Sequence, residues 1–337
     1  MSSVTKKLAT AVRVFRHQGL EGVGEALRQN LHHAKRSPRL QKLVRFFAPA
    51  LPLRVINEVP FTRMLCVEML PGKRLYLDAE SDWMAADLVY HGFKGFGGET
   101  LELFLKILKN AGTVLDIGSN TGIFALVAAI ENPKRQVYAF EPVPRIYNHL
   151  QRNIDLNRLR NLHPCQAAVS DYNGEITLYI PAGDLPTEAS TQPGFREAAE
   201  TIIVEAITLD SFVAQHKIAR IDLIKVDTET TEPIVLKGGK ETLEKHKPAI
   251  VCEVLKGTTE TRLHELLDDL GYQYYWITDQ GLVRKDRIVG DGTYKFLNYL
   301  FITEERAKEY LGAGVPAAVA GAVNQPRMDN LTKLPTH

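Results

Sequence analysis

The stretch TVLDIGSNTG, Thr113–Gly122, decides the fold. Thr113–Ile117 is a short apolar run with β-branched side chains, the composition of a buried strand. Gly118 and Gly122 follow, and Ile123–Ile130 then continues almost wholly apolar, as a helix packed on a sheet would. Strand, glycine turn and helix in this order aim the free N–H groups of a new helix at the crevice beyond the strand end. Two residues without Cβ let backbone approach a ligand there. The spacing is not G-x-G-x-x-G, which disfavours a pyrophosphate cradle and a nicotinamide-dependent oxidoreductase with it.

Outward from this stretch, apolar strand patterns alternate with helical ones. Strands are expected at 113–117, 136–140, 162–169, 221–226, 248–254, 272–278 and 297–303, with helices in most gaps. The pattern predicts an α/β fold, a doubly wound and mostly parallel sheet. The runs 272–278, 282–285 and 298–303 have no helix of normal length between them, so the sheet should end in an antiparallel pair, unlike a six-strand dehydrogenase sheet. Residues 175–180 and 202–206 read as extra strands around a loop rich in Gly, Pro, Ser and Thr, an insertion suited to substrate contacts. Upstream, 64–69 and 74–77 around Pro71-Gly72 predict a hairpin. Residues 81–98 hold Trp83, Tyr90, His91, Phe93 and Phe96 as a lid or entry region, and Glu99–Lys109 has helical periodicity.

The chain has 337 residues, enough for one large α/β domain with extensions, and a formal net charge of only +1, which argues against a dedicated nucleic-acid binder. The charge is unevenly placed. Met1–Arg54 holds eleven Lys or Arg against two Glu, a net of +9, so the remainder carries −8. The expected organisation is a basic helical extension over 1–60, a hairpin and lid region over 61–110, a cofactor-binding core over 111–311 and a disordered tail over 312–337. The basic segment packs on the domain as a surface helix, serves as a transit peptide, or contacts an anionic membrane surface or acidic partner. Cys66, Cys165 and Cys252 are far apart and form no C-x-x-C pair, so neither a disulfide framework nor a thiolate zinc site is expected. With no apolar run of membrane-spanning length, the default location is cytoplasmic.

Carboxylates recur at strand ends. Asp116 ends the first strand, where a phosphate would be repelled but the cationic amino-acid end of S-adenosylmethionine favoured. Glu141 ends the second, about 20 residues past the turn, the position from which an acid can bind both ribose hydroxyls. Asp171 follows the third, either as an acceptor for an adenine amino group or as part of the turn with Asn173-Gly174. In IDLIKVDTE, 221–229, Lys225, Asp227 and Glu229 alternate and would share one side of an extended strand; the plainer reading is an internal Lys-to-carboxylate pair with Glu232 opening a helix. Glu253 ends the fifth strand on the same rim. Charges crowded at the end of a buried parallel sheet are costly unless something uses them. Asp227 is the first candidate for general base, Glu229 and Glu253 the next, and His91 a weaker one. No metal is required, although Asp227, Glu229 and Glu253 are oxygen ligands of the kind magnesium accepts.

The pieces VLDIGSNTG (114–122), YAFEPVP (138–144), AAVSDYNGE (167–175), ITLDSF (207–212), IDLIKVDTE (221–229), VLKGGKETL (235–243) and PAIVCEV (248–254) resemble, in order and spacing, the FkbM-type S-adenosylmethionine-dependent methyltransferases. The resemblance spans roughly Leu77–Val254. It implies a class I methyltransferase (Rossmann-like) fold, O-methylation of a hydroxyl on a natural product, sugar or glycolipid, and a cofactor site containing Asp116, Gly118, Asn120, Glu141 and Asp171, with Gly122 closing the turn. One departure is visible: the family continues D-x-E-G after the fourth strand, and here Thr230 stands in place of that glycine. The rival reading is a non-catalytic S-adenosylmethionine-binding scaffold that uses the basic amino terminus as its contact surface.

Overall fold

The computed structural model describes residues 64–312 except 79, 81, 83, 86–87, 89–91, 93–96, 183–188, 193 and 195–199. The basic extension, the aromatic residues Trp83, Tyr90, His91, Phe93 and Phe96, and the tail after Gly312 lie outside the described residues.

A hairpin, β1 (Met64–Leu70) and β2 (Lys73–Asp78), turns at Pro71-Gly72 as expected, with Gly72 at φ 76°. Helix α1 (Gly98–Leu108) leads into β3 (Thr113–Ile117), α2 (Ile123–Glu131), β4 (Gln136–Phe140), α3 (Pro144–Asn157) and β5 (Leu162–Cys165). The chain then forms β6 (Ala168–Ser170), β7 (Gly174–Ile180), β8 (Glu200–Thr208), α4 (Leu209–Gln215), β9 (Leu223–Val226), α5 (Glu232–Lys237), α6 (Lys240–His246) and β10 (Ala249–Glu253). It ends with α7 (Glu260–Asp268), β11 (Gln273–Thr278), β12 (Gly281–Lys285), β13 (Asn298–Ile302) and α8 (Glu304–Leu311).

The main sheet has eight strands in the order β12-β11-β13-β10-β9-β3-β4-β5. Strands β10, β9, β3, β4 and β5 are parallel, whereas β13 is antiparallel to both β10 and β11, and β12 closes the edge against β11. The architecture is the doubly wound, mostly parallel α/β sheet that the sequence predicts. Its antiparallel ending is the hairpin β11–β12 at the sheet edge, and β13, last in the chain, inserts between β10 and β11. The expected third strand, 162–169, is two strands. Pro164 has no N–H to donate and β5 lies at the sheet edge, where that is tolerated. Beyond it the chain leaves this sheet, and β6 pairs instead with β8 in a small sheet ordered β6-β8-β7, which is the predicted insertion.

Alternation along the central strands sorts the side chains between two apolar layers. Val114, Leu223 and Val251 join the layer under α1, α2 and the hairpin, while Leu115, Ile117, Ile224, Val226, Ile250 and Cys252 join the layer under α4 to α7. Such strands, buried on both faces, carry near-continuous apolar sequence. Asp116 and Lys225 face the α2 layer, directly opposite one another in the β3–β9 register. Gly238 allows the break between α5 and α6 to press onto β6, since a Cβ there would lie 2.0 Å from the Ser170 carbonyl oxygen. Arg135 is fully buried and donates to the carbonyls of Leu108, Ala111 and Ala128, filling acceptors left at the ends of α1 and α2.

Candidate active site

At the carboxyl end of the parallel strands lies a cavity of about 190 Å³. Gly118 and Asn120 enter it from the β3–α2 turn, Glu141 from β4, Asp227 and Glu229 from the end of β9, and Glu253 from β10. Phe140, Val143, Ile146, Val169 and Leu178 supply an apolar wall, and Ala189 and Thr191 close it from the insertion. A larger cavity, about 1000 Å³, lies between β1–β2 and the carboxyl-terminal half of α3 among Arg74, Tyr76, Arg152 and Arg158. None of the acids at the carboxyl end of the parallel strands, Glu141, Asp227, Glu229 and Glu253, lines it, and these converge on the smaller one.

Gly118 adopts φ 76°, and a Cβ on it would lie 1.8 Å from the Asp227 carbonyl oxygen. The turn can therefore cross the end of β9 only as glycine, which brings the start of α2 and Asp227 to one place. Asn120 is also left-handed, at φ 50°. Glu141 is buried: one oxygen accepts from the Val143 N–H (2.8 Å), the other from the Asn120 N–H (3.1 Å). Burial pushes its pKa to about 7 against the pull of those two N–H groups. A carboxyl so poorly solvated gains from any further donor brought into the cavity.

Asp116 is not part of the cavity wall. It is buried behind the turn, where it accepts from the Ala125 N–H at 2.9 Å and so fixes the first turn of α2. Burial raises its pKa to about 6, with Lys225 opposing. Lys225 is itself buried, 5.0 Å from the centre of the Phe124 ring, and donates to Asp227 Oδ2 at 2.6 Å. Its burial alone would lower its pKa, but Asp227 and Asp116 outweigh that and the net shift is upward. One ammonium thus serves several acids and cannot neutralise them all. The internal Lys225–Asp227 pair and the role of Glu232 both appear as the plainer sequence reading had them: Glu232 accepts from the N–H groups of Thr228 (2.9 Å) and Thr230 (3.2 Å) at the start of α5.

Asp227, Glu229 and Glu253 each place a carboxylate oxygen within 4.8 Å of the others, the convergence the sequence suggested. Burial first, and then Asp227 and Glu229, drive the Glu253 pKa upward, which favours its protonated form. That direction ranks Asp227 and Glu229 ahead of Glu253 among the candidate bases. The expectation that Lys225, Asp227 and Glu229 share one extended face ends at Val226, since Glu229 and Thr230 are left-handed at φ 53° and 78°. Asp171 is the expectation the geometry turns away. It follows β6, outside the main sheet, and pairs with Lys237 on α5 at 2.8 Å instead of facing the cavity. Sequence reasoning missed Ala189, Ser190, Thr191 and Gln192, which carry no motif and reach the site only through the fold of the insertion.

Residues 116–274 match the family model described as Methyltransferase FkbM domain. The chain is 32% identical over 146 residues to 2-O-methyltransferase NoeI of Sinorhizobium fredii, covering 39% of this chain and 59% of that protein. It is 29% identical over 174 residues to 31-O-demethyl-FK506 methyltransferase FkbM of Streptomyces tacrolimicus, covering 44% and 66%. The chain thus spans about three fifths to two thirds of these relatives. A solved structure of Methyltransferase FkbM from Methylobacillus flagellatus superposes with TM-score 0.39 and 15% identity over 57% of this chain and 44% of that one.

Proposed function

We propose, from the match of residues 116–274 to the Methyltransferase FkbM domain, that this chain transfers a methyl group from S-adenosylmethionine to a hydroxyl of a sugar, glycolipid or other small natural product. The observation that carries the reading is the single cavity in which a glycine turn, the buried Glu141 and the acids Asp227 and Glu229 meet. Relatives named for 2-O- and 31-O-methylation and a hexuronic acid methyltransferase of Haloferax volcanii favour oxygen, and a sugar, as the acceptor.

The residues suit this cofactor. Glu141 can accept from ribose hydroxyls through lone pairs not used by Val143 and Asn120, the apolar wall suits a flat base, and acids at the far side suit a cation. The bound cofactor supplies an electrophilic methyl on a cationic sulfur. The chain's own share is alignment, worth up to about 7–11 kcal/mol in well-oriented systems, and acceptance of the hydroxyl proton. Asp227 takes that proton, with Lys225 holding one of its oxygens. Asp116 acts through α2 and Lys225 without touching ligand.

Two tests follow. Radiolabelled methyl incorporation across sugar, lipid and polyketide hydroxyls should identify an acceptor, and S-adenosylhomocysteine should bind by calorimetry; no heat of binding would end the proposal. Glu141→Ala should weaken that binding by roughly 10- to 100-fold, as loss of charge-assisted bonds worth about 1.5–3 kcal/mol predicts, with folding intact. In the wild type, ribose donors need the carboxylate, so affinity should fall as pH drops through about 7 and Glu141 takes up a proton. Binding near pH 7 should release protons, measurable in buffers of different ionisation enthalpy. Without ligand the sign reverses: from the ordinary value of 4.5 up to about 7 the folded state keeps a proton the unfolded chain has lost, so its stability falls with rising pH.

A further inference from the structure

The turn that presents Glu229 is held from outside. Glu229 and Thr230 are consecutive left-handed residues without being glycine, and Thr230 is β-branched, 2% exposed and has an unpartnered Oγ1. A backbone in this state persists only where its surroundings impose it. Glu232 takes the N–H groups of Thr228 and Thr230 from within the segment, and the carbonyls are taken from the insertion. Ser190 Oγ donates to the Glu229 carbonyl at 2.7 Å, and Gln192 Nε2 donates to the Thr230 carbonyl at 3.1 Å. Ser190 is buried, and its own backbone is fixed to β7, exchanging N–H and carbonyl with Tyr179 at 2.9 and 3.1 Å. The neighbours Ala189 and Thr191 line the cavity with Asp227, Glu229 and Glu253. One short segment therefore both walls the cavity and grips the carbonyls of the acidic turn.

We propose that Ser190 and Gln192 are positioning residues, a latch that holds the Glu229–Thr230 turn left-handed and so sets the Glu229 carboxylate beside the transferable methyl. Thr230, in the place of the family glycine, is what makes the latch necessary: glycine would take the same conformation unaided. The proposal rests on the cofactor reading above.

Its test uses two ligands that differ at one position. S-Adenosylhomocysteine lacks the methyl, whereas sinefungin carries a protonated amine where the methyl would be, so the ratio of their affinities reports the carboxylates facing that point. Ser190→Ala and Gln192→Ala should each leave S-adenosylhomocysteine within about twofold of wild type and weaken sinefungin by about fivefold or more, because a displaced charge costs only the charged ligand. Backbone hydrogen exchange in the ligand-free variants should speed up at 228–231 and stay unchanged in β9. Adding Thr230→Gly to Ser190→Ala should restore the sinefungin affinity. An unchanged ratio, unchanged exchange at 228–231, or a double variant no better than Ser190→Ala each overturns the latch. If the wild type binds neither ligand, the cofactor reading fails, while exchange in the free protein still reads the turn.

Discussion

Gly118→Ala should cost the protein its cofactor site and much of its stability together. The added Cβ would fall 1.8 Å from the Asp227 carbonyl oxygen and 2.8 Å from its carbon, both main-chain atoms of the adjoining strand end, and the residue would still need φ 76°. No rotamer relieves such a contact. Either the turn lifts off β9 or the bond from the Asp227 N–H to the Ile117 carbonyl, 3.0 Å, breaks. Strain of about 1–3 kcal/mol at the backbone plus a similar overpacking cost gives a destabilisation of roughly 3–5 kcal/mol. Affinity for S-adenosylhomocysteine should fall by about 100-fold or more, since a shift of even 1 Å separates the turn from the acids. Urea denaturation and calorimetry measure the two effects. Gly122→Ala is the control: its Cβ meets the end of the Leu150 side chain, Cδ1 at 2.3 Å, which can move, so it should be the milder variant despite φ 92°. Equal effects would mean that the backbone approach at Gly118 is not what builds the site.

The same contrast between local and distant causes explains what the sequence discloses. Thr113–Gly122 is legible because strand, turn and helix are each decided within a few residues, and β3 and β4 begin and end where the pattern puts them. Gly118 can be read as a close approach, but not as one to Asp227, more than a hundred residues away. Glu141 is legible because a strand end fixes where its side chain emerges. Asp171 fails the same logic because its strand leaves the main sheet, a choice made by pairing with β8 that the run 162–169 does not record. Asp116 has the right place and the wrong neighbour: register sets it against Lys225 under α2, so its carboxylate serves the protein before any ligand. Ser190 and Gln192 have no periodicity or motif at all, and only the tertiary fold of the insertion shows them gripping the turn.

Asp227→Asn separates the two acids that face the acceptor. Asparagine keeps the shape and can still accept from Lys225 Nζ, the partner held at 2.6 Å, so S-adenosylhomocysteine should bind within a few-fold of wild type. It cannot take a proton from a hydroxyl, and turnover with the acceptor found by the methyl-incorporation screen should drop by about 10²- to 10⁴-fold, the usual contribution of a positioned base. Glu253→Gln is the counterpart. Burial and the neighbouring Asp227, Glu229 and Glu232 raise the Glu253 pKa, so the neutral amide imitates the form that the cluster favours. That variant should retain most of the wild-type turnover at pH 7, and it should also lose the decline in stability that the wild type shows as pH rises from the ordinary carboxylate value of 4.5 towards the raised Glu253 value. The comparison is decisive because the two side chains lie in one cluster and the substitutions make the same chemical change. If Glu253→Gln were the inactive variant and Asp227→Asn the active one, the proton would pass to β10 rather than to the end of β9, and the Lys225–Asp227 pair would be a strut for the glycine turn alone.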